Sequence, residues 1–263
     1  MTPDAWLAGH PYLQPVAEVR ALVDTAASRV AAPLAREPDW QDYLVDFQAG
    51  IPLLQSERVA LDVSDPWCVV LSMLDALRSM PLPRALAEQC QALQADLQAH
   101  IDSAVGGDWS PIHPGLFRWL LWAVLSCELK PVVSAFAGWR DEERWLRNYC
   151  PTCGDAPAMG QLIGKDPGRM RLLVCGCCGT RWRYRRTGCP FCERSDDHRL
   201  SVVGVQGESG LRIDYCDGCH GYLKTYDGEG SESVLLADWT SMHLDLLARD
   251  RGLKRMAASL YEV

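Results

Sequence analysis

Cationic charge is scarce in this chain of 263 residues, where 26 Lys and Arg face 34 Asp and Glu for a formal net charge of -8. A surface that displaces counterions from nucleic acid or an anionic membrane needs the opposite balance, so broad affinity for either is not expected. Residues 1–16 lack a basic stretch followed by an apolar core, so no secretory signal is expected and the cytoplasm is the expected compartment. Long apolar runs are missing too. The most apolar stretch, residues 116–127, is interrupted by Arg118 and bounded by Glu128, too short to span a bilayer, and no membrane insertion is expected. Histidines are few, and His10, His100, His113, His198 and His243 show no metal-ligand spacing.

Cysteine, by contrast, is abundant, with 12 in the chain. Cys150-Pro-Thr-Cys153, Cys175-Gly-Cys-Cys178, Cys189-Pro-Phe-Cys192 and Cys216-Asp-Gly-Cys219 are paired-thiol knuckles. A two-residue spacer lets both sulfurs of a knuckle reach one ion, and two facing knuckles complete a tetrahedron. In a reducing compartment, structural disulfides are not expected. Cys150 to Cys189 and Cys153 to Cys192 are steps of 39 residues, whereas Cys175 to Cys216 and Cys178 to Cys219 are steps of 41. That is an internal repeat of knuckle, loop, knuckle. Cys150, Cys153, Cys175 and Cys178 are therefore expected to share one metal ion, and Cys189, Cys192, Cys216 and Cys219 a second, without cross-bracing. The 21 and 23 residues between partner knuckles leave room for a β-hairpin.

The remaining text divides by period. Residues 15–146 read as five or six helices: Val16, Val19, Val23, Ala26 and Val30 recur at steps of three and four, and Tyr43, Phe47, Ile51 and Leu54 repeat the pattern. Asp65-Pro66-Trp67 supplies an N-cap followed by proline for a helix through Met80, and residues 84–101 form another. Gly106-Gly107 and residues 111–114 mark a loop, and an apolar helix follows over 116–129 until Pro131 bends or ends it. After Asn148 the period becomes two, with short strands at 170–174, 181–185, 200–205, 211–215 and 222–226. Residues 237–260 return to helix, with Trp239, His243, Leu246 and Leu247 on one side. The fold class is α+β: a helical bundle over 1–147, two metal-binding β modules over 148–187 and 188–236, and a C-terminal helix over 237–263. Modules of about 40 residues bury too little apolar surface to fold unaided, so metal binding and folding are expected to be one event.

The residue after a knuckle's second cysteine often needs positive φ, which glycine tolerates best. Gly154 and Gly179 meet this need, while Glu193 and His220 fit it less well. Iron and zinc both suit four thiolates, and neither site leaves a coordination position open for hydrolytic catalysis. Cys177 is read as a spare thiol that could replace Cys178, His220 as a weak competitor for a ligand position, and Cys68, Cys90 and Cys127 as core residues. Arg169, Arg171, Arg181, Arg183, Arg185, Arg186 and Arg194 cluster in an acidic chain. They form either a solvated strand face or a docking surface for an acidic partner, with Arg181, Arg183 and Arg185 opposite Trp182 and Tyr184. A zinc-ribbon nucleic-acid binder or adaptor is the alternative reading, opposed by the net charge and the lack of a clustered aromatic platform. A thiol oxidoreductase is opposed by knuckles that precede strands and do not open helices.

Taken in order, Cys150-Pro-Thr-Cys-Gly, the run from Leu172 to Trp182, Cys189-Pro-Phe-Cys, Cys216-Asp-Gly-Cys-His-Gly-Tyr-Leu-Lys224 and the tail with Leu244-Asp245, Gly252 and Arg255 resemble the formate dehydrogenase accessory protein FdhE family. The C-terminal half is similar closely, and the helical half loosely, through residues 39–55. The resemblance implies two rubredoxin-like modules, each binding one Fe ion with Zn as the alternative. It also implies a cytoplasmic assembly factor that binds the molybdenum-containing catalytic subunit of formate dehydrogenase, with no catalytic residues. The family's cysteines fall on Cys150, Cys153, Cys175, Cys178, Cys189, Cys192, Cys216 and Cys219, and Cys177 inside a knuckle is the departure. Self-association is left open.

Overall fold

In the computed structural model, which describes residues 2–34, 38–59, 61–105, 114–165, 168–193, 200–205, 210–230 and 234–257, side chains of 100–105 and 114 excepted, Asp65 caps its helix as expected. Its carboxylate accepts from the Trp67 and Cys68 amides at 3.0 Å each. Among the described residues, six α-helices precede the sheet: α1 (Pro3–Gly9), α2 (Gln14–Val30), α3 (Trp40–Ala49), α4 (Pro66–Arg78), α5 (Arg84–Val105) and α6 (Pro114–Trp139). Val23, Ala26, Val70, Met73, Leu77, Leu93, Leu120 and Val124 close the core between α2, α4, α5 and α6. Cys90 joins this core, but Cys68, expected there too, is exposed at the start of α4.

Two helices end differently from the expectation. The run from Tyr43 to Leu54 is cut at Gly50, whose φ of 84° closes α3, and Ile51 is turned outward. Leu53 is buried instead in a 3-10 turn, Leu53–Gln55. Proline at 131 neither ends nor removes α6, which continues to Trp139. An internal proline costs a helix about 3 kcal/mol, and the burial of Leu129, Val132 and Phe136 on both sides of it offsets that cost. Glu128, expected to bound the apolar stretch, is buried and accepts hydrogen bonds from Ser64 and from the Ala32 amide. By length and composition alone, residues 115–139 are long and apolar enough to cross a membrane, unlike the shorter stretch read from sequence. In the fold, α6 is shared between two hydrophobic cores.

The sheet contains β1 (Pro157–Ile163), β2 (Met170–Cys175), β3 (Arg181–Tyr184), β4 (Leu200–Gly204), β5 (Leu211–Cys216) and β6 (Gly221–Asp227), followed by a short 3-10 turn (Asp238–Ser241), helix α7 (Met242–Asp250) and β7 (Lys254–Arg255). Strand order is β3-β2-β1-β6-β5-β4, with β7 beside β6. The internal repeat is visible in register. Leu173 on β2 pairs with Gly160 and Trp182, and Asp214, 41 residues later, pairs with Val202 and Leu223. Each repeat is thus an antiparallel three-stranded unit, and the two units join through a parallel pairing of β1 with β6.

At the C-terminal end the expected helix over 237–260 is shorter. Gly252, with φ 70°, terminates it, and the chain turns into β7. Trp239 lies in the 3-10 turn, which shifts the phase, so the buried face of α7 is Leu244, Asp245 and Ala248, and Leu246 is exposed. The Gly106-Gly107 loop, His113, Arg194, His198 and residues 258–263 lie outside the described residues.

Candidate metal centres

All four knuckles share one backbone form. The amide after the second cysteine returns to the carbonyl of the first: Gly154 to Cys150 at 2.9 Å, Gly179 to Cys175 at 3.2 Å, Glu193 to Cys189 at 3.2 Å and His220 to Cys216 at 2.9 Å. Closing that turn requires a left-handed residue, and Glu193 (φ 55°) and His220 (φ 59°) adopt it just as Gly154 (φ 86°) and Gly179 (φ 71°) do. The second site therefore has the same turn as the first despite its non-glycine residues. Amides also point at sulfur, from Thr152 to Cys150 Sγ, Phe191 to Cys189 Sγ and Gly221 to Cys219 Sγ, each at 3.4 Å.

The structure gathers Cys150, Cys153, Cys175 and Cys178 into one quartet and Cys189, Cys192, Cys216 and Cys219 into another, with the sulfurs of each within 4.8 Å of one another. Across knuckles the closest sulfurs are Cys150 and Cys178 at 3.5 Å, Cys153 and Cys175 at 3.4 Å, Cys189 and Cys219 at 3.7 Å, and Cys192 and Cys216 at 3.8 Å. A disulfide would require about 2.05 Å. A tetrahedral ion with sulfur at about 2.3 Å spaces its ligands by about 3.8 Å, so the quartets have the dimensions and soft donor set of a tetrathiolate centre.

Protonation fits the same chemistry. Burial pushes the Cys150 thiol well above its ordinary range and the Cys189 thiol up to about 12. Hydrogen bonds from Cys150, Cys153 and Cys175 hold Cys178 well below its ordinary value. Four thiols this close cannot all ionise alone; a bound cation reverses that balance and deprotonates them.

The repeat shows where the two centres differ. Beneath the first quartet, the hydroxyls of Thr152 and Thr180 meet at 2.8 Å, and that of Thr180 lies 3.1 Å from Cys178 Sγ. The corresponding positions of the second centre are Phe191 and Gly221, and a methyl group on Gly221 would lie 3.0 Å from the Phe191 ring. A hydroxyl pair has been exchanged for an aromatic ring over a bare backbone, a linked change that the repeat alignment could have revealed. The first centre is also anchored to the helices: the Leu53 and Leu54 amides donate to the carbonyls of Pro151 and Thr152, both at 2.9 Å. Trp182 is buried under it and donates from its indole to the Arg147 carbonyl at 2.9 Å.

Other candidates are not members of the quartets, although Cys177 interacts with the Cys153 thiol of the first. Cys177 is buried and faces a cavity of about 350 Å³ lined by Trp119, Trp122, Met159 and Val174. His220 is exposed, and the quartets among the described residues contain cysteine alone. The arginines do not form one solvated face. Arg171 is buried, Arg183 pairs with Glu143, Arg169 pairs with Asp227, and Arg181 donates to Gln161 at 2.8 Å and to the Gly230 carbonyl at 2.9 Å. Arg181 and Arg183 do lie opposite the buried Trp182 and Tyr184.

A family model described as FdhE, central domain, matches residues 149–186, which hold the first centre. An FdhE homolog of Stutzerimonas stutzeri is 29% identical over 255 residues, covering 90% of this chain and 74% of that protein. The homolog of Aquifex aeolicus is 33% identical over 129 residues, covering 47% of this chain and 46% of the relative. The match to the Pseudomonas putida homolog, 30% identical, spans 51% of that protein, so the chain aligns with about half the length of two of these relatives. In fold it is similar to the crystal structure of the FdhE protein from Pseudomonas aeruginosa, with a TM-score of 0.54, 24% identity, and coverage of 88% of this chain and 80% of that one.

Proposed function

We propose that this chain is a member of the FdhE family and a cytoplasmic accessory factor in the maturation of formate dehydrogenase. In this reading it binds the molybdenum-containing catalytic subunit and holds two iron ions, one per cysteine quartet. The observation that carries the proposal is the pair of quartets at tetrathiolate dimensions, each formed by facing knuckles of one repeat. Four cysteines saturate a tetrahedral ion and leave no position for substrate, which supports a binding role over catalysis. Tetrathiolate iron, when bound, supplies a one-electron couple with little change of geometry.

The chain's own residues supply a rigid frame for that role. The Leu53 and Leu54 amides hold the first knuckle against the 3-10 turn that follows α3, and the Lys254 amide donates at 2.8 Å to the carbonyl of His220, just after the fourth. A partner that contacts this frame would meet two knuckles from different units on one continuous sheet. The engagement of Arg169, Arg181 and Arg183 by internal partners weakens the case for a nucleic-acid surface.

Two measurements on anaerobically purified protein test the proposal. Elemental analysis is expected to give two iron ions per chain, with sulfur-to-iron charge-transfer absorption. Affinity capture from cells making formate dehydrogenase is expected to recover its catalytic subunit, and C150S/C153S to reduce that recovery. Zinc in place of iron overturns the cofactor assignment, and capture that never recovers the subunit overturns the client.

A further inference from the structure

Arg171 belongs to the first unit but serves the second. Its side chain leaves β2 fully inside the protein, 1% exposed, and its Nη1 donates at 3.1 Å to the carbonyl of Gly188, the residue before Cys189. Tyr184 on β3 supports the same knuckle, donating from its hydroxyl to the Cys189 carbonyl at 3.2 Å. The remaining donors of Arg171, Nε and Nη2, are buried and have no hydrogen-bond partner among the described residues.

The nearest carboxylate does not neutralise this guanidinium closely. Asp214 Oδ2 lies 4.0 Å away, and the Asp214 oxygens already accept from Arg212 Nε at 2.9 Å and Thr225 Oγ1 at 3.0 Å. A cation buried at this depth without close pairing is costly unless another negative charge offsets it. Burial lowers the Arg171 pKa, while Asp214 and then Cys189 act to raise it. A second quartet holding a divalent ion on four thiolates would carry a net charge of about -2 and supply the missing counterpart.

The repeat gives an internal comparison. In the second unit the position equivalent to Arg171 is Arg212, which is partly exposed and paired with Asp214 and with Asp227 at 3.3 Å. The first quartet has neutral hydroxyls, Thr152 and Thr180, among its polar neighbours.

We propose that Arg171 is the counter-charge of the second centre, reaching across the unit boundary so that Cys189, Cys192, Cys216 and Cys219 hold a divalent metal ion more tightly. The inference rests on the quartets being metal sites, and it is independent of which metal is native and of the client.

The test is stepwise transfer of zinc from the full chain to a chromophoric chelator, with the step absent in C189S/C192S assigned to the second quartet. R171Q is expected to weaken that step by at least about tenfold, the scale of one unpaired unit charge at partly buried distance, and to leave the other step unchanged. R171K, which keeps the charge and loses the planar fork, is expected to restore most of the affinity. Equal weakening of both steps in R171Q would reveal a general folding defect and overturn the proposal, as would an unchanged second step or an R171K as weak as R171Q. Failure to capture a formate dehydrogenase subunit would leave the zinc measurement untouched, so the two ideas fail separately.

Discussion

Gly160 on β1 and Thr225 on β6 are register partners across the parallel seam that joins the two repeat units, and a methyl group on Gly160 would lie 2.8 Å from the Thr225 hydroxyl. Leu223 Cδ2 would be 2.9 Å from the same methyl. Both neighbours belong to a packed strand, so the backbone can approach only because position 160 has no side chain. The equivalent residue on β4 is Val202, 55% exposed, which shows what a strand without this constraint accepts.

Gly160→Ala is therefore expected to lower stability by about 1–3 kcal/mol through overpacking at the seam. Gly204→Ala, on β4 with nothing within 4 Å of an added methyl, is the control and is expected to be neutral or mildly stabilising. Chemical denaturation of the zinc-loaded chains measures both. Equal midpoints for the two variants would show that the seam tolerates a side chain.

The four left-handed knuckle positions rank themselves. Glu193 and His220 carry a side chain in a conformation that costs an L-residue about 1–2 kcal/mol, against about 0.5–1 kcal/mol of extra unfolded-state entropy for glycine. Glu193→Gly and His220→Gly are expected to stabilise the second centre by up to about 1 kcal/mol each. Gly179→Ala meets open space and suffers the backbone term alone, whereas Gly154→Ala would also place its methyl 2.4 Å from Gln55 Nε2. The expected order of zinc retention on denaturant titration runs from Gly154→Ala, the weakest, through Gly179→Ala to the parent and His220→Gly. A His220→Gly chain less stable than the parent would contradict the strain argument.

The cysteine spacing anticipated the grouping of the sulfurs into two quartets because thiols at fixed, repeated offsets leave a trace that needs no tertiary information. Strands with one buried face, such as β3 with Trp182 and Tyr184 inward, were equally legible through their alternation. β1 was not: it is as fully buried as β6, but β6 carries Tyr222, Thr225 and Tyr226, whereas residues 157–162 contain no β-branched or aromatic side chain to mark a strand. The continuation of α6 past Pro131 was hidden for another reason. Local propensity favours a break there, and the packing of Leu129, Val132 and Phe136 in the core that includes Cys150 and Cys175 overrules it. Burial of Arg171 is likewise a property of the assembled units. In the linear text it is one arginine among several, and nothing nearby in sequence marks it as facing the other repeat.

The C-terminal segment is held to β6 by a buried charge cluster, and its acid sensitivity follows from the sign of one shift. Asp238 receives Lys224 Nζ at 2.6 Å and Arg255 Nη2 at 2.8 Å, while Asp245 receives Lys224 Nζ at 2.6 Å and the Tyr222 hydroxyl at 2.6 Å. Burial acting alone would push the Asp238 carboxyl up, but Lys224 and then Arg255 outweigh it and hold the pKa at about 2. In the unfolded chain an aspartate titrates near ~3.9. A depressed folded pKa means that the folded state binds the proton later than the unfolded state, so this stabilisation is complete above the unfolded value and is lost as pH falls towards about 2. The difference corresponds to about 2–3 kcal/mol. Asp238→Asn removes the titration and leaves Lys224 and Arg255 with Asp245 alone. The stability gap between parent and Asp238→Asn is expected to be constant from neutral pH down to about 5 and then to shrink steadily below about 4. Denaturant midpoints of both chains in matched buffers read this gap directly, and acid loss of metal, common to both, cancels in the difference. A gap that stays flat through the acid range would show that Asp238 is not held ionised by Lys224 and Arg255.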